Sequence, residues 1–234
     1  MKTAVIISGQ ARTFDLCYPS QRWQVYRHYE PDLHFFVSVK DDEDADKMEV
    51  LRENHKNVVI QKLPDPEDAD LFIPPEDAGR FAPYANAAGN KQLMLQHWGN
   101  KMALGFALKR IIKLGCEIVI RIRADLFFHS FIKPPNPFHA EAMTPWWGRF
   151  GGVNDRFAVM GAVAAKGYFN TYDLIPELLE QGCPFHPETL VYESMMKQGV
   201  MVRRDLRTTF STIRKNGQQR PPEIMLEDLA DLHL

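Results

Sequence analysis

Cysteine is scarce in this chain: three residues in 234, Cys17, Cys116 and Cys183, far apart and odd in number. That pattern argues against a disulfide framework and against a C-x-x-C metal site, and Cys116, just before an apolar run, reads as a small core residue. Long hydrophobic runs are also missing. The opening MKTAVIISG holds only four or five consecutive apolar residues, too few for a secretory core or a membrane span. A soluble, unanchored, cytoplasmic protein with no transmembrane segment is therefore expected. Net charge is almost absent, at -2, which gives no global reason to bind nucleic acid or a membrane surface. The short basic pairs Arg203-Arg204 and Arg214-Lys215 read as solvated faces.

What is present is an alternation of strand-like and helix-like segments. Thr3 to Ser8, His34 to Val39 and Asn57 to Gln61 read as buried strands, and Ile118 to Phe128 as a longer one. Helical patterns cover Ser20 to Tyr29, the acidic DDEDADKMEVLREN, Asn90 to Leu114, Ala164 to Leu179 and Glu188 to Gln198. Val200 to Arg203 reads as a closing strand, and Leu63 to Pro83, rich in Pro, Asp and Glu, as a long surface loop. Such alternation predicts an α/β fold: one Rossmann-like domain with a mostly parallel central sheet flanked by helices. The domain is placed at residues 1–210, with a nucleotide-binding half to about 130 and an acceptor half from about 131, followed by a tail at 211–234.

In an open α/β sheet, ligands bind beyond the carboxyl ends of the strands. Three predicted strands end in polar or small residues: Ser8-Gly9-Gln10-Ala11-Arg12, Ser38-Val39-Lys40-Asp41-Asp42 and Arg123-Ala124-Asp125. A shared polar cleft follows. Gly9 lets the backbone approach a ligand and Arg12 offers a rigid fork to phosphate, although the segment is neither a dinucleotide fingerprint nor a Walker loop. Arg121, Arg123 and Asp125 alternate, so they share one strand face, with Ile120, Ile122 and Ala124 on the other. Asp125 can hold a divalent metal or a ribose, or belong to an internal Arg–Asp network.

These segments resemble GT-A-type glycosyltransferases. The order is a strand-end S-G-Q-x-R, a polar turn after the second strand, and R-x-R-x-D-L-x-F after a long Gln-bearing helix. The closer likeness is to a microbial and viral set with R-x-D in place of D-x-D. Asn154-Asp155-Arg156-Phe157 with Gly161 is similar to that set's acceptor-side N-D-x-F, and His186-Pro187-Glu188 to its late P-E helix. The resemblance spans about residues 3 to 205. It implies a nucleotide-sugar donor over the sheet's carboxyl edge and a glycan or other hydroxyl acceptor. Ser8, Gly9, Gln10, Arg12, Arg121, Arg123 and Asp125 would bind the donor. Asp155 would be the general base and Glu188 the runner-up. Asp125 would hold Mn²⁺ or Mg²⁺, unless Arg123, standing where the first aspartate belongs, replaces the ion.

Other readings stand beside these. Asn154-Asp155 also suits a turn, Glu188 suits a helix start, and Trp146-Trp147 suits either sugar stacking or packing. His129 and His186 are possible metal ligands. A non-catalytic nucleotide- or sugar-binding protein on the same fold is the main rival. A methyltransferase, with Asp41-Asp42 as its acid after the second strand, is the other.

Overall fold

Short runs of β-branched and aromatic residues, each closed by a polar turn, form the sheet; longer segments with apolar residues at helical spacing cover it. A computed structural model describes residues 1–63, 66, 71–74, 87–205 and 207–222. In chain order the elements are β1 (Thr3–Ser8), α1 (Phe14–Gln24), β2 (Leu33–Val39), α2 (Asp42–Asn54), β3 (Val58–Lys62), α3 (Ala87–Leu114), β4 (Ile118–Arg123) and β5 (Leu126–Ser130). There follow β6 (Glu141–Pro145), β7 (Phe157–Gly161), α4 (Ala162–Phe169), α5 (Thr171–Glu180), α6 (Pro187–Lys197), β8 (Met201–Asp205), β9 (Thr209–Ile213) and β10 (Gln219–Arg220).

Among the described residues, seven strands make one sheet in the order β3-β2-β1-β4-β7-β6-β8. Every neighbouring pair is parallel except those of β7, which runs against β4 and β6. All six residues of β1 are buried, as expected for a strand covered on both faces. Alternation divides its side chains. Val5 and Ile7 join Phe14 and Tyr18 of α1 and Met48 and Leu51 of α2. Ala4 and Ile6 join Ala103, Leu104, Ala107 and Ile111 of α3 on the opposite face. The result is a single α/β domain, Rossmann-like, with helices on both sides of a mostly parallel sheet. No described helix is long and apolar enough to cross a membrane.

The predicted strand from Ile118 to Phe128 is two strands in two sheets. β4 stops at Arg123, the chain turns at Ala124-Asp125, and β5 pairs antiparallel with β9 in a second sheet of order β10-β9-β5. Turning a strand out of a sheet strands its carbonyls, and an unpaired buried carbonyl is costly. Gln21 of α1, wholly buried, supplies the missing donor: its amide lies 3.2 Å from the Ala124 carbonyl and 3.0 Å from that of Leu126. Tyr26 holds the amide in turn, donating to Gln21 Oε1 at 2.6 Å.

The predicted boundary at 210/211 falls inside β9, and the chain to Arg220 remains paired in the second sheet; residues 223–234 of the predicted tail lie outside the described residues, as does most of the predicted loop from Leu63 to Pro83. The predicted helix from Ala164 to Leu179 is α4 and α5, broken at Asn170, and the one from Ser20 to Tyr29 begins six residues earlier, with Pro19 inside α1. Of the two readings of Trp146-Trp147, the structure shows packing. Trp147 is buried to 1% exposure beside Phe210, its indole N–H donating to the Thr208 carbonyl at 2.9 Å, and Trp146 packs against the same core.

Candidate functional site

The sheet's winding direction reverses between β1 and β4: the chain runs from β1 to β2 to β3 on one side and returns to β4 on the other. Such a switch point opens a crevice at the carboxyl ends of the two strands. Here the crevice is a cleft of about 290 Å³. The end of β1 lines it with Ser8, Gly9, Gln10, Arg12 and Thr13, and the end of β2 with Ser38, Val39 and Lys40. From β4 and its turn come Arg121, Arg123, Ala124 and Asp125; α3 gives Gln92, Gln96, Trp98 and Asn100; β9 and its continuation give Ile213, Arg214 and Lys215.

The loop after β1 turns at Gly9 and is held from two directions. Gly9 has a φ of +107°, a backbone conformation that a side chain strains. Ser8 Oγ donates to Asn100 Oδ1 at 2.7 Å, tying the strand end to α3. The Ala11 N–H donates to Asp44 Oδ1 at 2.9 Å, and Asp44, in the first turn of α2, is buried enough for its carboxyl to be pushed up from the usual range. Replacing Asp44 with Ala leaves that buried N–H unpaired. A loss of about 1–3 kcal/mol of stability is expected, read as a lowered urea midpoint with an unchanged slope.

Charge is concentrated on the cleft walls. Among the described residues, six basic side chains line it (Arg12, Lys40, Arg121, Arg123, Arg214 and Lys215) against one acid, Asp125. Arg121 is the most constrained. It lies in register with Ile6 of β1 and Ala158 of β7, is 2% exposed, and its Nε and Nη1 have no hydrogen-bond partner among the described residues. Burial lowers its pKa, with Arg123 pressing the same way. Arg214 is lowered too, by burial first and then by Arg220 and Arg123. The described walls of the cleft therefore carry an excess of positive charge, the electrostatics that suit an anion.

Asp125, the expected metal ligand, is engaged by an arginine. Arg123 grips both carboxylate oxygens, Nε at 3.0 Å from Oδ1 and Nη2 at 2.6 Å from Oδ2. Arg121 and Arg214 also act on this carboxylate electrostatically. Among the described residues, no group of three or more His, Cys, Asp or Glu side chains is placed to hold an ion. His129 lies 2.7 Å from Ser211 Oγ, and His186 Nδ1 lies 2.9 Å from Glu188 Oε2, so each is engaged elsewhere.

The structure brings seven of the nine predicted site residues to one cleft; Asp155 and Glu188 do not line it. Asp155 is 4% exposed and accepts from Gln96 Nε2 at 2.5 Å, so the wall residue Gln96 stands between it and the cleft. Tyr168 donates to the Asp155 backbone carbonyl. Arg156 bridges the acids, Nε 3.9 Å from Asp155 and Nη2 3.7 Å from Glu188. Glu188 sits in the first turn of α6, where the helix dipole favours an anion by up to about 2 kcal/mol. Burial and neighbouring Asp155 outweigh that and raise its pKa to about 7. Gly152 lets the preceding turn seat on this helix end: a Cβ there would meet the Glu188 carbonyl oxygen at 2.1 Å. His97, fully buried near Asp155, is pushed down to about 4 by desolvation.

Lys40, Arg214, Lys215, Gln96 and Asn100 are wall residues that the sequence reading did not select. Lys40 carried the signal of a strand end. Arg214-Lys215, read as solvated surface, reach the cleft only because β9 pairs with β5, where the Ile213 N–H donates to the Asp125 carbonyl at 2.9 Å. The acids after β2 serve structure: Asp41 caps α2 by accepting from the Asp44 N–H at 2.9 Å, and Asp42 lies 3.2 Å from Lys62. Neither acid lines the cleft. No curated protein matches the chain. The model of a family described as a domain of unknown function (DUF7796) matches residues 1–230, and the chain belongs to that family.

Proposed function

We propose that this protein is a GT-A-like glycosyltransferase that moves a sugar from a nucleotide-sugar donor to the hydroxyl of a glycan or related acceptor. The observation that carries the reading is Arg121, buried at the switch-point cleft with two donor groups unpartnered. A buried cation of that kind is costly unless a ligand anion completes it. The sequence resemblance supplies the class of ligand, a sugar diphosphate, and the basic walls suit its charge.

In this reading the acceptor oxygen forms a bond to the anomeric carbon while the bond from that carbon to the diphosphate oxygen breaks. The electron pair leaves with the diphosphate, and the hydroxyl proton passes to a base. Arg121, Arg123 and Arg214 face the charge that develops on the leaving group, where fixed cations lower the barrier most. Asp155, first choice for the base, reaches the cleft only through Gln96, so it acts as a positioning residue for that amide unless the Gln96 side chain swings aside. Glu188 lies behind it, beyond Arg156.

A non-catalytic nucleotide- or sugar-binding protein is the second reading. It is favoured by Asp125, the one carboxylate among the described wall residues, being held by Arg123. Incubating the full chain with a panel of nucleotide-sugars, with and without sugar acceptors, separates the two. Transfer expects nucleoside diphosphate release that rises several-fold with one acceptor. The binding reading expects calorimetric nucleotide binding and no release. Neither binding nor release across the panel would set both aside.

A further inference from the structure

We infer that the cleft grips the diphosphate of its ligand with arginines alone, without a divalent cation, and that Asp125 serves to lock Arg123 in place. The inference rests on the reading above only in taking the ligand to carry phosphates. Its structural basis is the surroundings of Asp125. A bidentate guanidinium occupies both carboxylate oxygens, at 3.0 and 2.6 Å, the strongest geometry this pair can adopt. Arg121 and Arg214 also lie within electrostatic reach of the same carboxylate. A divalent ion on Asp125 would have to displace Arg123 and then sit among three guanidiniums, where repulsion works against it.

The charge that a metal ion would bring is already on the walls. Arg121 is held rigidly in a central strand with Nε and Nη1 unpartnered. Planar guanidinium forks match phosphate oxygens in pairs, so an arginine cluster can do a metal's electrostatic work on a leaving diphosphate. Arg123, held by Asp125, lines the same cleft. Asp125 thus becomes a positioning residue, and the position where a metal ligand was expected becomes the anchor of the metal's substitute.

The test is calorimetry of the full chain with inorganic pyrophosphate, first in excess EDTA and then with Mn²⁺ or Mg²⁺. Binding in EDTA is expected, with a Kd within about threefold of that in metal. Asp125→Asn should weaken it by less than about tenfold, and Arg121→Met by about 100-fold or more, with thermal melting confirming that each variant is folded. Tightening by tenfold or more on adding metal, no pyrophosphate binding in EDTA, or loss of binding in Asp125→Asn as severe as in Arg121→Met would each overturn the inference. The two proposals can fail separately. Sugar transfer that requires Mn²⁺ removes the metal-free clamp and leaves the transferase. Metal-free pyrophosphate binding with no nucleotide-sugar bound or consumed removes the transferase and leaves the clamp.

Discussion

Arg121→Met is expected to weaken nucleotide-sugar binding by about 100-fold or more while raising the melting temperature. The two effects come from the same atoms. A guanidinium at 2% exposure with Nε and Nη1 unpartnered bears an effective desolvation penalty of several kcal/mol. Methionine is flexible enough to fill the space of the aliphatic stem without the charge. Even about 1–2 kcal/mol recovered would raise the midpoint by a few degrees in a chain of this size. Ligand binding moves the other way. Two hydrogen bonds to charged phosphate oxygens, each worth about 1.5–3 kcal/mol, correspond to about 100-fold or more in Kd. Differential scanning fluorimetry and calorimetry on the same preparation read both. A variant that melts lower and binds normally would mean that Arg121 is a structural residue with a partner in the folded protein.

Glu188→Gln is expected to change how stability depends on pH. In the folded chain, burial and neighbouring Asp155 hold the Glu188 carboxyl protonated up to about 7, against 4.5 without them. Between those values the folded state carries more protons than the unfolded state. Raising the pH therefore favours unfolding: the stability present below about 4.5 is lost as pH rises through about 7, and the loss is complete above it. A separation of that size corresponds to roughly 3 kcal/mol. The glutamine amide stays neutral throughout. The variant should therefore gain roughly 3 kcal/mol relative to wild type between pH 4 and pH 8, read from urea unfolding at each pH, where titrations common to both chains cancel. A constant difference across that range would show that Glu188 is ionised in the folded protein at low pH, held by Arg156 or His186.

Much of the fold was legible because the cues were local. Runs such as AVII and HFFVSV are continuous apolar strands, and their polar ends marked the carboxyl edge where Ser8, Lys40 and Asp125 now meet in one cleft. The opposite-face alternation of Ile120 and Ile122 against Arg121 and Arg123 also survives in the core: Ile120 and Ile122 pack with α1 and α2, while Val119 packs with α3. What could not be read depended on distant partners. β4 and β5 look like one strand because the break between them is supported by Gln21, about a hundred residues earlier. Arg214 and Lys215 look like surface until β9 pairs with β5. Trp147 suits stacking and packing equally until Thr208 and Phe210 are seen beside it. Asp155 and Glu188 were chosen for residue type, and their burial behind Gln96 and Arg156 is a property of packing.

The most direct measurement is a crystal structure of the full chain soaked with nucleoside diphosphates in EDTA. The proposals require the diphosphate in the cleft between the ends of β1 and β4, within hydrogen-bonding distance of Arg121 and Arg123, with the Arg123–Asp125 pair intact. A diphosphate bound elsewhere on the chain, or one seen only with a metal ion seated on Asp125, would contradict them.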